Sequence, residues 1–444
     1  MIIYLYRLMY PLGLLLSLPI LLRRVFYHLR TSLPIMHWLG YFPHIPSRYT
    51  KTRLWMHAAS VGEARSIAPL IKILSANDDL DIVITVQNAQ AYQMLVKQYK
   101  EYDRLYIAFF PLDLFFSSHC AWQQINPDLM MLVDSELWPE HLQQAKNRQI
   151  PVWLLNQRHS QKTYRRLRQF PIAFHFLYGY LSMVWCSSKR DYQHLQIMGI
   201  QPTRCRYRGN LKCTLPQSVF TKADQIQLQR SIGFVSDDDK MPLILIAASS
   251  WPGEEQILIR CLQRCLQHNI DAKLIIVPRH PSSTGDIEKN IKKTDIKYQI
   301  RSQQAQHNQD NRIYIVDTIG ELCDFYQISD IAFIGKSTKH YHGGQNPVEA
   351  VGYQCAVVYG PNMQHFQDIS DEMLLENASA QGLTCEDIEE HIFHLAISAS
   401  SRHIQIQTAT HWLEQQSRCT SQILDEIQVL LDLNTISHNY PLEA

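Results

Sequence analysis

Short apolar runs rich in β-branched residues alternate along the chain with longer amphipathic stretches. In the first half the runs lie at 53–58, 81–86, 105–110, 128–133, 152–155 and 183–186. In the second half they lie at 243–248, 273–277, 312–316, 331–334 and 356–359. Strands that are apolar on both faces belong inside parallel sheets covered by helices. The stretches 63–75, 137–147, 253–267 and 322–328 supply such helices, and 403–431 reads as one long terminal helix.

The alternation breaks at 214–240, a polar stretch holding Gln217, Ser218 and the run Ser236-Asp237-Asp238-Asp239. A chain of 444 residues is also too long for one ordinary hydrophobic core. The pattern predicts a Rossmann-like domain over 31–213, a linker over 214–240 and a second Rossmann-like domain over 241–444. The terminal helix either closes that second domain or packs back across. Two such halves facing a cleft form the α/β architecture called GT-B, with ligands at the carboxyl ends of the strands.

Residues 1–30 differ in kind. Arg7 is the one charge in 1–22, the core 8–22 is apolar apart from Ser17, and Arg23, Arg24, His28 and Arg30 follow. That core is short of the roughly 20 residues a spanning helix needs. Counted from Met1, with Arg7 snorkelling outward, the segment just reaches across. Pro11, Gly13 and Pro19 work against one continuous helix. No small-residue cleavage site follows, and the basic cluster is on the wrong side for a signal peptide. We expect an N-terminal membrane anchor of either depth, with the body on the cytoplasmic side. A buried N-terminal helix is the alternative.

Composition narrows the partners. Hydrophobic residues make up 46% and charged residues 19%, as in folded globular proteins. Lys and Arg number 42 against 41 acidic residues, so the basic excess of a nucleic-acid binder is missing. The 10 cysteines are scattered without a CxxC, and the closest pair is Cys261 and Cys265. That is neither a disulfide framework nor a zinc signature, and it reads as reduced thiols in a cytosolic compartment.

Five strand-to-helix turns carry the candidate chemistry. In the first, Ser60 and Glu63 have capping-box spacing after a strand; Glu63 is either that cap or a general base facing the cleft. In the second, Asp134 and Glu136 leave a buried strand together, a clustering of acids that needs compensation. The third, Ser249-Ser250-Trp251-Pro252-Gly253-Glu254, starts a helix and suits a phosphate. The fourth places Arg279 and His280 just beyond a strand, where a guanidinium suits a nucleotide phosphate or a surface salt bridge. In the fifth, Gly343 and Gly344 precede a helix start with Asn346 as N-cap, Pro347 at N1 and Glu349 at N3, a carboxylate suited to ribose hydroxyls. The basic run Arg158, Lys162, Arg165, Arg166 and Arg168 reads either as a solvated helix face or as a docking surface for an anionic headgroup.

In this order the turns resemble the bacterial 3-deoxy-D-manno-octulosonic acid (Kdo) transferases, over nearly the whole chain. The matching pieces are the His-Ala-x-Ser-Val-Gly-Glu turn ending at Glu63, Ser-Glu-Leu-Trp-Pro at 135–139 and Val-Pro-Arg-His-Pro at 277–281. Asp-Thr-Ile-Gly-Glu-Leu at 317–322 and Gly-Gly-Gln-Asn-Pro-Val-Glu at 343–349 complete the set. The resemblance implies an inverting transfer of Kdo from CMP-Kdo to the lipid A precursor (lipid IVA) at the cytoplasmic face of the bacterial inner membrane. It implies that Glu63 accepts the proton of the attacking hydroxyl, with Asp134 and Lys212 supporting the transition state. CMP would be held by Pro278 and Arg279, by Ile319, Gly320 and Glu321, and by Asn346, Pro347, Val348 and Glu349. No cofactor, metal or obligate protein partner is expected, Lys212 and Arg279 acting as counter-charges to the anionic donor.

Several positions depart from the family pattern. Asp134 replaces a glutamate, Thr85-Val-Gln-Asn-Ala-Gln-Ala91 replaces a Thr-rich turn with glycine, and Asn156-Gln-Arg-His-Ser160 replaces Asn-Ala-Arg-Leu-Ser. Gly335-Lys336-Ser337 stands where the family has Gly-Gly-Ser, and Gln345 replaces a histidine. Ser282 and Ser283 stand where an arginine is usual. These departures keep two other readings in view: a GT-B enzyme using a different sugar nucleotide, and a diverged membrane-bound protein that binds glycolipid or nucleotide without turnover.

Overall fold

The computed structural model describes residues 2–31, 33–46, 52–213, 218–235, 241–303 and 310–439. Two compact units emerge, one of Met1–Cys213 with Gln416–Ala444 and one of Thr214–Gln415.

In the first unit β1 (Thr52–His57), β2 (Leu80–Val86), β3 (Leu105–Phe109), β4 (Leu129–Val133), β5 (Val152–Gln157), β6 (Met183–Cys186) and β7 (Cys205–Tyr207) form a parallel sheet. Its order is β3-β2-β1-β4-β5-β6-β7. The apolar runs are continuous because both faces are covered. Leu54 and Met56 of β1 pack into one core with Ile82, Ile84 and Met131, while Trp55 between them enters the opposite core with Trp122 and Met130.

In the second unit β8 (Leu243–Ser250), β9 (Ala272–Pro278), β10 (Tyr298–Ile300), β11 (Ile313–Ile315), β12 (Ile331–Ile334), β13 (Ala356–Tyr359) and β14 (Ala380–Gln381) form another parallel sheet. Its order is β10-β11-β9-β8-β12-β13-β14. Every apolar run singled out in the sequence forms a strand within two residues of its expected ends. The edge strands β7, β10 and β14 are too short to show a period of their own.

The N-terminus corrects the anchor expectation. In place of one spanning helix over 1–30 the chain forms α1 (Ile2–Leu16) and α2 (Leu18–Arg30), and no helix among the described residues is long and apolar enough to cross a membrane. Arg7 does not snorkel outward. Its guanidinium makes a two-pronged pair with the fully buried Glu140, at 2.7 and 2.9 Å, and next to it Tyr6 donates to Asp113 at 2.6 Å. One side of α1 is thereby tied to the first unit, while Leu5, Leu8, Leu12, Leu15 and Leu16 stay exposed.

Three more expectations are revised. The stretch 63–75 is two helices, α3 (Val61–Ser66) and α4 (Ala68–Leu74), parted at Ile67 just before Pro69. The stretch 403–431 is likewise divided, between Ala399–Ser417 and Cys419–Asn439. Cys419, Ile423 and Ile427 join the core holding Leu70, Ile71 and Leu74, so the end of the chain packs back on the first unit and the second unit stops at Gln415 rather than at 444. The expected linker 214–240 lies partly outside the described residues; its described part holds the helix Lys222–Ser231, capped by Thr221 and Asp224, within the second unit.

In each sheet the strand order reverses once: between β1 and β4 in the first, and between β8 and β12 in the second. A crevice opens beyond the carboxyl ends of the strands at such a reversal, and ligands of open α/β sheets bind there.

Candidate active site

At the first reversal Glu63 follows β1 and Asp134 follows β4. Ser60 caps α3 by accepting from the Glu63 N–H. The Glu63 carboxylate reaches back past the cap, accepting from the Ala59 N–H at 2.7 Å and from the Ser60 hydroxyl at 2.8 Å. The capping geometry and the cleft position therefore belong to the same side chain and do not exclude each other. Each oxygen accepts one bond and keeps a second lone pair. Burial and the charge of Asp134 raise the Glu63 carboxyl above its ordinary value, against the bonds from Ser60 and Ala59 and the charge of Lys212.

Asp134 is almost fully buried and sits in the left-handed region at φ 60°, which aspartate tolerates better than most residues. Asn156, at the end of neighbouring β5, is left-handed too and donates to Asp134 Oδ1 at 2.9 Å. The other oxygen, Oδ2, receives Lys212 Nζ at 3.4 Å and Arg158 at 3.0 Å. Lys212 is held by its loop: Asn156 Oδ1 accepts from the Leu211 N–H at 3.1 Å, and Asn210 Oδ1 from the Lys212 N–H at 2.9 Å. Gly209, at φ 113°, passes so near the Gln416 carbonyl that a Cβ would fall 2.1 Å from it. The end of the helix Ala399–Ser417 thus helps to set where Lys212 stands.

Glu136 completes an acidic group with Glu63 and Asp134. It accepts from Trp138 Nε1 and Gln87 Nε2, both at 3.1 Å. Burial first, and then the Glu63 charge, push its carboxyl up to about 7. Beside it the fully buried His57 donates to the Thr85 carbonyl through Nδ1, and burial lowers its ring to about 3, so it stays neutral.

Sequence reasoning brought Glu63, Asp134 and Lys212 together, and the structure does the same. It missed Arg158, Asn156 and Gln87. Arg158 had been grouped with the basic run Lys162–Arg168, most of which lies on the helix Gln161–Gln169, yet it precedes that helix and turns to Asp134. The signal available was its position immediately after a buried strand that neighbours β4.

The other candidate residues lie in the second unit. Pro278 ends β9 buried, while Arg279 beyond it is exposed, with its N–H bonded to the Ser250 carbonyl of β8 at 2.9 Å. Ile319 and Gly320 form the tip of the turn after β11; Ile319 is 86% exposed and Gly320 takes φ 98°. Glu321 is less available than the resemblance suggests, because its carboxylate pairs with Arg301 at 2.7 Å and accepts from the Thr318 hydroxyl. The helix after β12 is Val348–Gly352; Asn346 Oδ1 accepts from the Val348 N–H at 3.1 Å, and Asn346 also donates to the exposed Glu349 at 3.1 Å. The N-cap is therefore Pro347 and not Asn346, which stands one residue before it, and Glu349 falls at N2 instead of N3. After burial, the Glu349 charge is the main cause that raises the Cys323 thiol on the helix Leu322–Tyr326, which brings the 317–322 and 343–349 segments together.

The family description 3-deoxy-D-manno-octulosonic-acid transferase (kdotransferase) matches residues 36–215. The chain is similar to the 3-deoxy-D-manno-octulosonic acid transferase of Haemophilus influenzae, at 27% identity over 86% of this chain and 88% of that one. It is similar to that of Rickettsia felis at 25%, over 87% and 81%. A bifunctional glycosyltransferase/methyltransferase of Fusobacterium nucleatum is 26% identical over 76% of this chain, which spans only 51% of that relative's length. Among solved structures, Anabaena HepE in complex with UDP superposes with a TM-score of 0.58 at 13% identity, covering 85% of this chain and all of that one. At that identity the likeness is one of fold.

Proposed function

The chain belongs to the Kdo transferase family, and so to the glycosyltransferases; from that premise we propose that it moves Kdo from CMP-Kdo to a hydroxyl of the lipid A precursor, lipid IVA, by inversion, in a GT-B arrangement. The observation that carries this reading is the group at the β1/β4 reversal, where a carboxylate with a raised pKa lies beside a second carboxylate held by two cations.

In this reading the acceptor oxygen attacks the anomeric carbon of Kdo while Glu63 takes its proton. The bond from that carbon to the phosphate oxygen of CMP breaks, and the electron pair leaves with the phosphate. A base works best when its pKa lies near the working pH, and burial moves Glu63 in that direction. Asp134 supplies negative charge for a carbon that becomes cationic, and Lys212 and Arg158 hold it in place. The donor is assigned to the second unit, with Pro278, Arg279, Ile319, Gly320, Glu321 and Asn346–Glu349 around CMP. The Arg279 guanidinium is exposed and suited to the leaving phosphate, so the reading calls for no divalent ion. Activity unchanged by EDTA is the expected result. The exposed apolar side of α1 supports docking on the cytoplasmic face of the inner membrane as a surface-bound helix.

The test is to incubate the purified protein with CMP-Kdo and tetraacylated lipid A precursor, and to weigh the glycolipid product. A gain of Kdo, with UDP-sugars inert as donors and as competitors, is the expected outcome. Transfer from a UDP-sugar instead, or binding without turnover, removes the assignment.

A further inference from the structure

We propose that Lys336 binds an oxyanion of the donor sugar nucleotide; the proposal rests on the assignment of the donor to the second unit made above. Lys336 lies just past the end of β12, at the β8/β12 reversal of its sheet, where ligands of such sheets collect. It follows Gly335 in the turn where Kdo transferases carry a second glycine, and its backbone keeps the conformation a glycine would take, at φ 60°. Lysine is ill suited to that region, and residues held there concentrate at functional sites.

The surrounding structure enforces the conformation. Gly335 is packed so tightly against β8 that a Cβ would lie 2.3 Å from the Ser249 carbonyl. The buried Glu254 carboxylate then accepts from the Lys336 N–H at 2.7 Å, the Ser337 N–H at 3.1 Å, the Thr338 N–H at 3.2 Å and the Thr338 hydroxyl at 3.0 Å. On the far side, the Lys336 carbonyl accepts from the Gly344 N–H at 3.0 Å, which ties the turn to the Gly-rich segment before Asn346. The anion-binding backbone of this turn is thus taken by Glu254, and the one group left to meet a ligand is the side chain.

That side chain is poised rather than used. Its ammonium stands 4.9 Å from the centre of the Trp251 ring, and no carboxylate among the described residues pairs with it. Close by, the Ser250 hydroxyl, only 2% exposed, and Trp251 Nε1 are buried without hydrogen-bond partners. A half-buried, unpaired cation beside two unsatisfied polar groups, at the switch point of its sheet, fits an anionic ligand. The oxyanion is either the phosphate of CMP or the carboxylate of the sugar.

Two variants separate charge from shape. Lys336→Gly relaxes the left-handed backbone, and Lys336→Asn tolerates it; both delete the charge. Both are expected to melt at or above the wild-type temperature and to raise the KM for CMP-Kdo about tenfold or more, with kcat changed far less. Calorimetry with CMP and with cytidine then names the source. If CMP affinity falls while cytidine affinity holds, the phosphate is the partner; if CMP affinity holds while the KM for CMP-Kdo rises, it is the sugar carboxylate. Well-folded variants with CMP affinity and KM both within twofold of wild type overturn the proposal. A wild-type protein that neither binds CMP nor transfers Kdo overturns the donor assignment first, and this proposal with it.

Discussion

Arg7→Met is the perturbation that separates a docked N-terminal helix from an inserted one. In the docked state the Glu140 carboxylate is fully buried and receives both prongs of the Arg7 guanidinium, with Gln144 adding one further bond at 2.8 Å. Removing one partner of a buried pair generally costs about 3–5 kcal/mol, because the other charge stays behind. Arg7 itself is 26% exposed, so water reaches the vacated place and the expected cost is nearer 2–3 kcal/mol. For a unit of this size that corresponds to a melting temperature lower by roughly 5–10 °C. The assay is thermal unfolding at neutral pH of the single variants Arg7→Met and Glu140→Gln and of the double variant. The double variant is expected to recover most of the loss, since a neutral amide at 140 has no charge to strand. If Arg7→Met melts within one degree of wild type, α1 is not held as described, and a spanning N-terminal segment returns as the better account.

Further outcomes follow from the charges around Glu63. Asp134 raises that carboxyl and Lys212 lowers it, so Asp134→Asn is expected to move the acidic limb of the kcat/KM–pH profile down and Lys212→Met to move it up; shifts in the same direction would sink the electrostatic argument. Glu136, raised to about 7, binds its proton more tightly folded than unfolded, so its contribution is complete below about 4.5 and is lost as the pH rises through 7. Glu136→Gln keeps an acceptor for Trp138 and Gln87, and should stabilise the protein by about 2 kcal/mol at pH 8 with little effect at pH 4.5, read as denaturant midpoints. At the membrane, charging the exposed face of α1 with Leu8→Glu and Leu16→Glu is expected to abolish co-sedimentation with anionic vesicles at an unchanged melting temperature. Persistent sedimentation would place membrane contact elsewhere.

Much of the fold was legible because parallel strands must be apolar on both faces: Leu54, Trp55 and Met56 serve two cores at once and leave an unbroken run in the sequence. The short edge strands escape that logic, and so does the return of the terminal helix, since nothing local distinguishes Ile423 and Ile427 as partners of Leu70 and Ile71 from partners of a nearer core. Candidate residues at strand ends were readable one by one, as at Glu63 and Asp134. What connects them is not local. Arg158 reaches Asp134 because β5 lies beside β4, and Gly209 must be glycine because a residue more than 200 positions later crosses it. The N-terminal segment misled for a similar reason. A lone arginine in an apolar run reads as a snorkelling residue until its buried partner, Glu140, is known.

Glu63→Gln tests the central claim most directly. Glutamine still offers its oxygen to the Ala59 N–H, and its amide can donate to the Ser60 hydroxyl oxygen in place of accepting from it, so the start of α3 should hold and the melting temperature should stay within about two degrees of wild type. It cannot take a proton. In the CMP-Kdo to lipid A precursor assay, the account predicts that kcat/KM falls about 10²–10⁴-fold in the folded variant. A folded Glu63→Gln protein that transfers Kdo within threefold of the wild-type rate would contradict it, leaving Glu63 as a helix cap alone.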